Sequence, residues 1–250
     1  MSISKEARIL SPKFIGENVV VEDGVFMDEG CYIGHNVVIH KGSQIGKNVF
    51  IDDNTVIGKL PMHSPASALP ESTAENPARI GDNCLIGAGV IIYRGAQIGK
   101  KVLIADLATV RENVEIGDFT IIGRGAAVEN FCKIGQHCKL ETNAYITAYS
   151  ELEDYVFVAP MVTTTNDNYM ARGKERFKYF KGVTVKKGGR IGANATILPG
   201  KVIEEEGVVA AGSTVTKNVP SKKIVLGSPA RIFKDVPKNQ LLENQEEIKK

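Results

Sequence analysis

Tyr93, Arg111, Glu129, Thr147 and Thr165 follow one another at intervals of eighteen residues. Beside them, at the same interval, run Arg94, Glu112, Asn130, Ala148 and Asn166. A carboxylate next to a guanidinium can hold an ammonium or accept a proton, and Arg suits phosphate. The two series run into Asn166 and Asp167, inside "TTTNDNYMARGKERFKYFKG" (163–182). That stretch adds apolar anchors (Tyr169, Phe177, Tyr179, Phe180) and cations (Arg172, Lys174, Arg176, Lys178, Lys181). Asp106, in "LIADLATV", is a second acid in an unusual place. It can cap a corner, pair with Arg124 eighteen residues on, or bind an amine. The plain alternative for Arg111 and Glu129 is a solvent-exposed ion pair of little energetic weight.

A hydroxyl nucleophile needs a general base, usually His, whereas an amine is partly neutral near pH 7–8 and needs less help. The four histidines are His35, His40, His63 and His137. None is read onto the polar series. His35 and His137 fall at corner positions, and His40 and His63 remain as candidate bases. The missing base favours an amine acceptor. A zinc site would require three converging ligands, which this spacing does not offer, so no metal is expected.

These residues need a scaffold that stacks positions eighteen apart. An aliphatic residue returns every six positions, from Ile9 to Ile57, from Ile80 to Val158 and from Val185 to Val215. Six matches neither a helix nor a lone strand. It matches a coil of three short strands, each with one side chain inward, as in parallel β-helices. Gly and Asn after the aliphatic position ("IGENVV", "IGHNVV", "IGKNVF") suit left-handed corners. The fold expected is all-β, about ten coils, roughly 45–50 Å long at the spacing of neighbouring strands. Two loops, 59–79 and 163–184, interrupt a β-helix over 1–232, and 233–250 forms a short polar tail or helix. Cys31, Cys84, Cys132 and Cys138 each fall two residues before a ladder position, where a small buried filler fits.

The 250 residues are 43% hydrophobic with a formal net charge of +2, which argues against nucleic-acid binding. No run of eighteen apolar residues and no apolar leader stands in the sequence, so a cytoplasmic protein without membrane contact is expected.

Three segments carry a family resemblance: "NAYITAYSELEDYVFVAPMVTTTNDN", "GVTVKKGGRIGANATILPG" and "VVAAGSTVTKNVPSKKIVLGSPARI". Together with the six-residue repeat they resemble the hexapeptide-repeat acyltransferases, most nearly those acting on dTDP-linked amino-deoxysugars. The resemblance implies a left-handed parallel β-helix, a homotrimer with sites between subunits, acetyl-CoA or another acyl-CoA as cosubstrate, and a nucleotide-linked amino sugar as acceptor. It implies that Asn166 and Asp167 orient the amine, that Glu129 and Asp106 stabilise it or take its proton, and that Asn143 assists. Ala211, Gly212 and Ser213 would hold pantetheine, with Lys217 and Arg231 on the coenzyme A phosphates. The eighteen-residue series itself points Tyr93, Arg94 and Arg111 at the nucleotide. The loop at 163–184 would reach over a neighbouring subunit's groove, or serve only as a trimer clasp. The alternative activity is O-acetyl transfer with His40 or His63 as base.

Overall fold

A computed structural model describes residues 2–65 and 76–245. The expected loop at 59–79 therefore includes 66–75, which lie outside the described residues, as do 246–250 of the expected tail. Among the described residues three sheets form, of 11, 10 and 12 strands. They make the three faces of a parallel β-helix. Face 1 carries the ladder residues Ile39, Ile57, Ile92, Val110, Val128 and Ile146; face 2 carries Ile98, Ile116 and Ile134; face 3 carries Ile86, Ile104 and Ile122. Neighbouring strands pair at the expected interval, with Val110 opposite Val128 and Val128 opposite Ile146.

The core is the ladder. Ile57, Ile86, Ile92, Ile104, Ile122 and Ile146 are all fully buried. The structure adds rungs that an aliphatic count misses. Ile3 pairs with Val21 below the first rung expected. Thr164 is 1% exposed and continues the ladder as a polar rung. Its hydroxyl donates to the Tyr145 carbonyl (3.1 Å) and accepts from the Thr147 N–H (2.8 Å), so its burial leaves no orphan polar atom. With these rungs the three faces carry 10 to 12 strands each, close to the ten coils expected. All four cysteines are buried and unpaired. Burial pushes the Cys132 thiol up to about 12 and those of Cys84 and Cys138 to about 11.

Corners turn through left-handed residues. Asn18, Asn36, Asn54 and Asn83 have φ of 53–60°, counting Asn48 with them. The middle coils put bulky residues there instead: Phe119, Phe131, His137, Tyr149 and Tyr155 have φ between 56° and 64°. Left-handed backbone is strained for such side chains. Stacking offsets it, with ring centroids 4.8 Å apart for Phe119–His137, 4.9 Å for His137–Tyr155 and 5.3 Å for Phe131–Tyr149.

Both insertions leave the prism at the corner between faces 1 and 2. One follows Val56–Lys59 and rejoins at Arg79–Ile80; the other follows Thr163–Thr164 and rejoins at Thr184–Val185. The second loop thus begins one rung later than the aliphatic count suggests. At the far end Lys223–Gly227 and Ala230–Asp235 form an antiparallel hairpin. Its second strand runs past position 233, where the polar tail was expected to begin. The tail makes two short 3-10 turns, Lys238–Gln240 and Leu242–Asn244. Val236 and Leu241 are 6% exposed, and Glu206 accepts the Leu242 N–H at 2.9 Å, so this segment is docked.

Candidate active site

The corner between faces 1 and 2 holds the polar series in vertical register. Tyr93 ends the strand Ile91–Tyr93, and Arg111, Glu129 and Thr147 each follow a face 1 rung. Arg111 is the hub. Its Nε donates to Glu112 Oε2 at 2.8 Å and its Nη2 to Glu112 Oε1 at 3.1 Å. Its Nη1 reaches Glu129 Oε2 at 3.4 Å. Its guanidinium lies 4.9 Å from the Tyr93 ring centroid, and Lys59 Nζ, from the level below, lies 5.1 Å from the same ring. A cation on each level occupies the faces of Tyr93, which leaves its hydroxyl rather than its ring to meet a ligand. Arg94 donates from Nη1 to the Lys41 carbonyl at 2.9 Å.

The exposed-pair alternative does not describe this cluster. Glu112 is 2% exposed and Asn130 1%. The Glu129 side chain keeps 22% of its surface open. Burial holds the Glu129 carboxyl above its ordinary range; Arg111 opposes this and Glu112 adds to it. Burial likewise raises the Tyr145 phenol, with the Glu129 charge adding to the effect. The result is a semi-buried carboxylate with an enhanced hold on a proton, open on one side, beside a fixed cation.

Asp106 does not join Glu129. It sits at the corner between faces 3 and 1, where its carboxylate accepts the Ala88 N–H at 3.1 Å. Asp53 caps His35 on the same corner (2.6 Å), and Asp118 and Asp154 cap Lys100 and Gln136 on the next (2.7 and 2.9 Å). Asp106 is thus one of a series of corner caps. A Cβ at Gly87 would collide with its carboxylate, which explains the glycine after Ile86. Asn143 occupies the same corner as Asp106, at φ 56°, and turns the chain there.

Asn166 and Asp167 lie at the neck of the second loop. The Asn166 carbonyl accepts the Lys181 N–H (3.2 Å) and closes that neck. Asp167 takes the N–H groups of Tyr169 (2.8 Å) and Ala171 (3.0 Å), and Arg176 Nη1 at 2.9 Å. Burial works to raise its carboxyl, but these three donors outweigh it and hold it below the usual range. Both oxygens thus serve the loop's own framework. Arg176 then lies over Phe177 and Phe180, 4.7 and 5.5 Å from their centroids.

Ala211, Gly212 and Ser213 turn the corner between faces 3 and 1 near the far end. Gly212 (φ 68°) has nothing within 4 Å of where a side chain would start, and Ser213 Oγ accepts the Gly227 N–H at 3.1 Å. Lys217 and Arg231 do converge, on a pocket of about 420 Å³ completed by Val215, Asn218, Val219, Pro220, Val225, Ala230 and Ile232. It lies at the end of the prism, where its Val215 is four strands above the Glu129 level on face 1.

Sequence reading left His40 off the polar series, and the structure puts it there. Ile39 pairs with Ile57 and Ile57 with Ile92, so His40 stands on the Tyr93 corner two levels down. At strand spacing that is about 10 Å. Its Nδ1 lies 3.1 Å from Glu22 Oε1. The signal was available: the first insertion skips one corner without changing which face follows. Glu112 and Tyr145 were also missed as site residues. Among the described residues no group of three His, Cys, Asp or Glu could hold a metal ion, and no helix is long and apolar enough to cross a membrane.

Two family models match the repeats: the bacterial transferase hexapeptide (six repeats) over residues 77–109, and the hexapeptide repeat of succinyl-transferase over 28–59 and 183–217. A dTDP-3-amino-3,6-dideoxy-alpha-D-galactopyranose 3-N-acetyltransferase of Aneurinibacillus thermoaerophilus is 47% identical over 53 residues, 21% of this chain and 28% of that protein. The galactoside O-acetyltransferase of Escherichia coli (strain K12) is 30% identical over 86 residues, 33% of this chain and 42% of the relative. Among solved structures, Arabidopsis UDP-N-acetylglucosamine acyltransferase shares the fold, with a TM-score of 0.52 and 16% identity over 94% of this chain and 74% of that one. The chain matches less than half the length of these curated relatives. Over the residues matched, its repeats are similar to those of the hexapeptide transferases.

Proposed function

We propose that this hexapeptide-repeat protein transfers an acetyl or other short acyl group from coenzyme A to the amine of a nucleotide-linked amino sugar. The observation that carries the reading is Glu129: semi-buried, open on one side, raised in proton affinity and held beside Arg111. In the reaction the amine nitrogen attacks the thioester carbon, the C–N bond forms and the C–S bond breaks. The proton lost by nitrogen passes to Glu129 and on to the departing thiolate. Arg111, Arg94 and the Tyr93 hydroxyl face the anionic nucleotide. The pocket between Lys217 and Arg231 takes the coenzyme A phosphates, and the turn at Ala211, Gly212 and Ser213 borders the pantetheine arm. No metal takes part. Unpaired cysteines suit a reducing cytoplasm.

Subunit contact is part of the proposal. The outward columns of faces 1 and 3 are apolar over several levels: Val20, Val38, Val56 and Ile91 on one, Phe14, Tyr32, Phe50, Leu85, Leu103 and Ile121 on the other. Face 2 instead shows Arg79, Gln97, Glu115, Lys133 and Glu151. Faces 1 and 3 are the ones to bury against other copies in a homotrimer.

A second reading has its own support. The His40–Glu22 pair on the same corner is a base with an orienting carboxylate, which suits O-acetyl transfer to a sugar hydroxyl. Two variants separate the readings, assayed by coenzyme A release with dTDP- and UDP-linked amino sugars and with simple glycosides. Glu129→Gln is expected to lower turnover on the amino sugar by about 100-fold or more, the usual weight of a positioned base, while His40→Ala leaves it nearly unchanged. The reverse pattern, with glycosides as the better acceptors, would establish hydroxyl transfer.

A further inference from the structure

Glu112 is deeply buried, charged and not itself open to a ligand, so its place beside the site calls for a reason. Both its oxygens are taken by Arg111, at 2.8 and 3.1 Å, whereas Glu129 has one longer contact at 3.4 Å. One guanidinium stands against two carboxylates, and its planar fork is given to the buried one. The groups facing Glu129 are Arg111 and Glu112 from the level below, Tyr145 from the level above and the Cys132 thiol on its own level. Tyr145 and Cys132 are both held in their neutral forms by burial. Arg111 is therefore the cation at hand to satisfy Glu129, and it gives Glu129 only the longest of its three carboxylate contacts.

We propose that Glu112 is a positioning residue: by engaging Arg111 through two hydrogen bonds it keeps the guanidinium from neutralising Glu129, and so preserves Glu129 as a proton acceptor. The inference rests on the reading of Glu129 given above. Without Glu112 the guanidinium is free to pair with Glu129, which becomes a weaker base, and a repulsive charge is lost as well. Both changes act in one direction.

The test is Glu112→Gln, which keeps the shape and removes the charge. Carbon-13 NMR of the Glu129 carboxyl in the full chain without substrate is expected to show its midpoint falling by about one pH unit or more. The acidic limb of the kcat/KM profile should fall with it, and Glu112→Asp, which restores the charge, should return both toward the parent values. A structural role alone would lower thermal stability and leave the midpoint in place, and an unmoved midpoint in folded Glu112→Gln overturns the inference. A moved midpoint with an unmoved rate profile keeps the inference and removes Glu129 from the reaction, so the two failures are distinct. If Glu112→Gln does not fold, Arg111→Gln serves: two facing carboxylates without their cation must raise the Glu129 midpoint, and no rise overturns the coupling.

Discussion

A carboxyl that grips its proton more tightly when folded makes stability depend on pH. The ordinary value for Glu129 is 4.5, and burial places the folded value above it. Below the unfolded value both states hold the proton and the full benefit of the folded site is present. As pH rises through the folded value that benefit is lost, because a semi-buried charge must then be tolerated. Glu129→Gln is therefore expected to match the parent in thermal midpoint near pH 4 and to exceed it increasingly toward pH 8, even as it loses activity. Differential scanning fluorimetry at several pH values checks this, and a parent that gains stability relative to the variant on alkalisation would contradict it. The residue scale was half legible in the sequence. Counting by eighteen assembled Tyr93, Arg111 and Glu129, because register in a β-helix is fixed by the ladder. It could not separate Asp106 from them in role, because a corner cap and a catalytic acid differ only in which N–H the carboxylate meets.

The second loop is an element built around one acid. Asp167 gathers two backbone N–H groups and Arg176, and Arg176 in turn lies over Phe177 and Phe180. Asp167→Ala removes charge-assisted hydrogen bonds that contribute about 1.5–3 kcal/mol each. Loss of even about 1.4 kcal/mol of local closing energy raises the open population tenfold. Trypsin cleavage within 172–181 is thus expected to quicken by about tenfold or more, while the thermal midpoint of the prism, whose core lies elsewhere, hardly moves. Unchanged cleavage would show that the aromatic contacts suffice. In sequence the loop announced itself as a broken rhythm, and its Asn-Asp opening suggested direct chemistry. What sequence could not show is that the loop's own backbone satisfies that carboxylate, a contact made between residues two to nine apart in an irregular segment with no period to count.

For the molecule as a whole, the difference between faces is the main datum. Face 2 alternates charge along its outer column, whereas faces 1 and 3 present valine, isoleucine, leucine and aromatic rings. Leu85 alone is 52% exposed. Joint substitution Leu85→Lys and Leu103→Lys places two like charges on neighbouring strands of that column. It is expected to convert the proposed trimer to monomers in sedimentation velocity, with the β-sheet circular dichroism retained. Trimers that persist would move the contact to another face. The fold itself was the most legible level. A fixed six-residue period leaves little freedom in how the chain can wind, and the rungs that escaped the count are the polar Thr164 and those at the two ends, Ile3, Val219 and Val225.

Both insertions spring from one edge of the prism, at the rungs of Ile57 and Thr164, with four rungs of that face between them. The distance from loop to loop is therefore metered in whole turns of repeat. Adding or deleting one eighteen-residue turn in that interval would slide the loops apart or together by a single strand spacing, about 4.8 Å, and leave every corner cap in phase. The scaffold is in this sense an adjustable caliper, graduated in whole strand spacings.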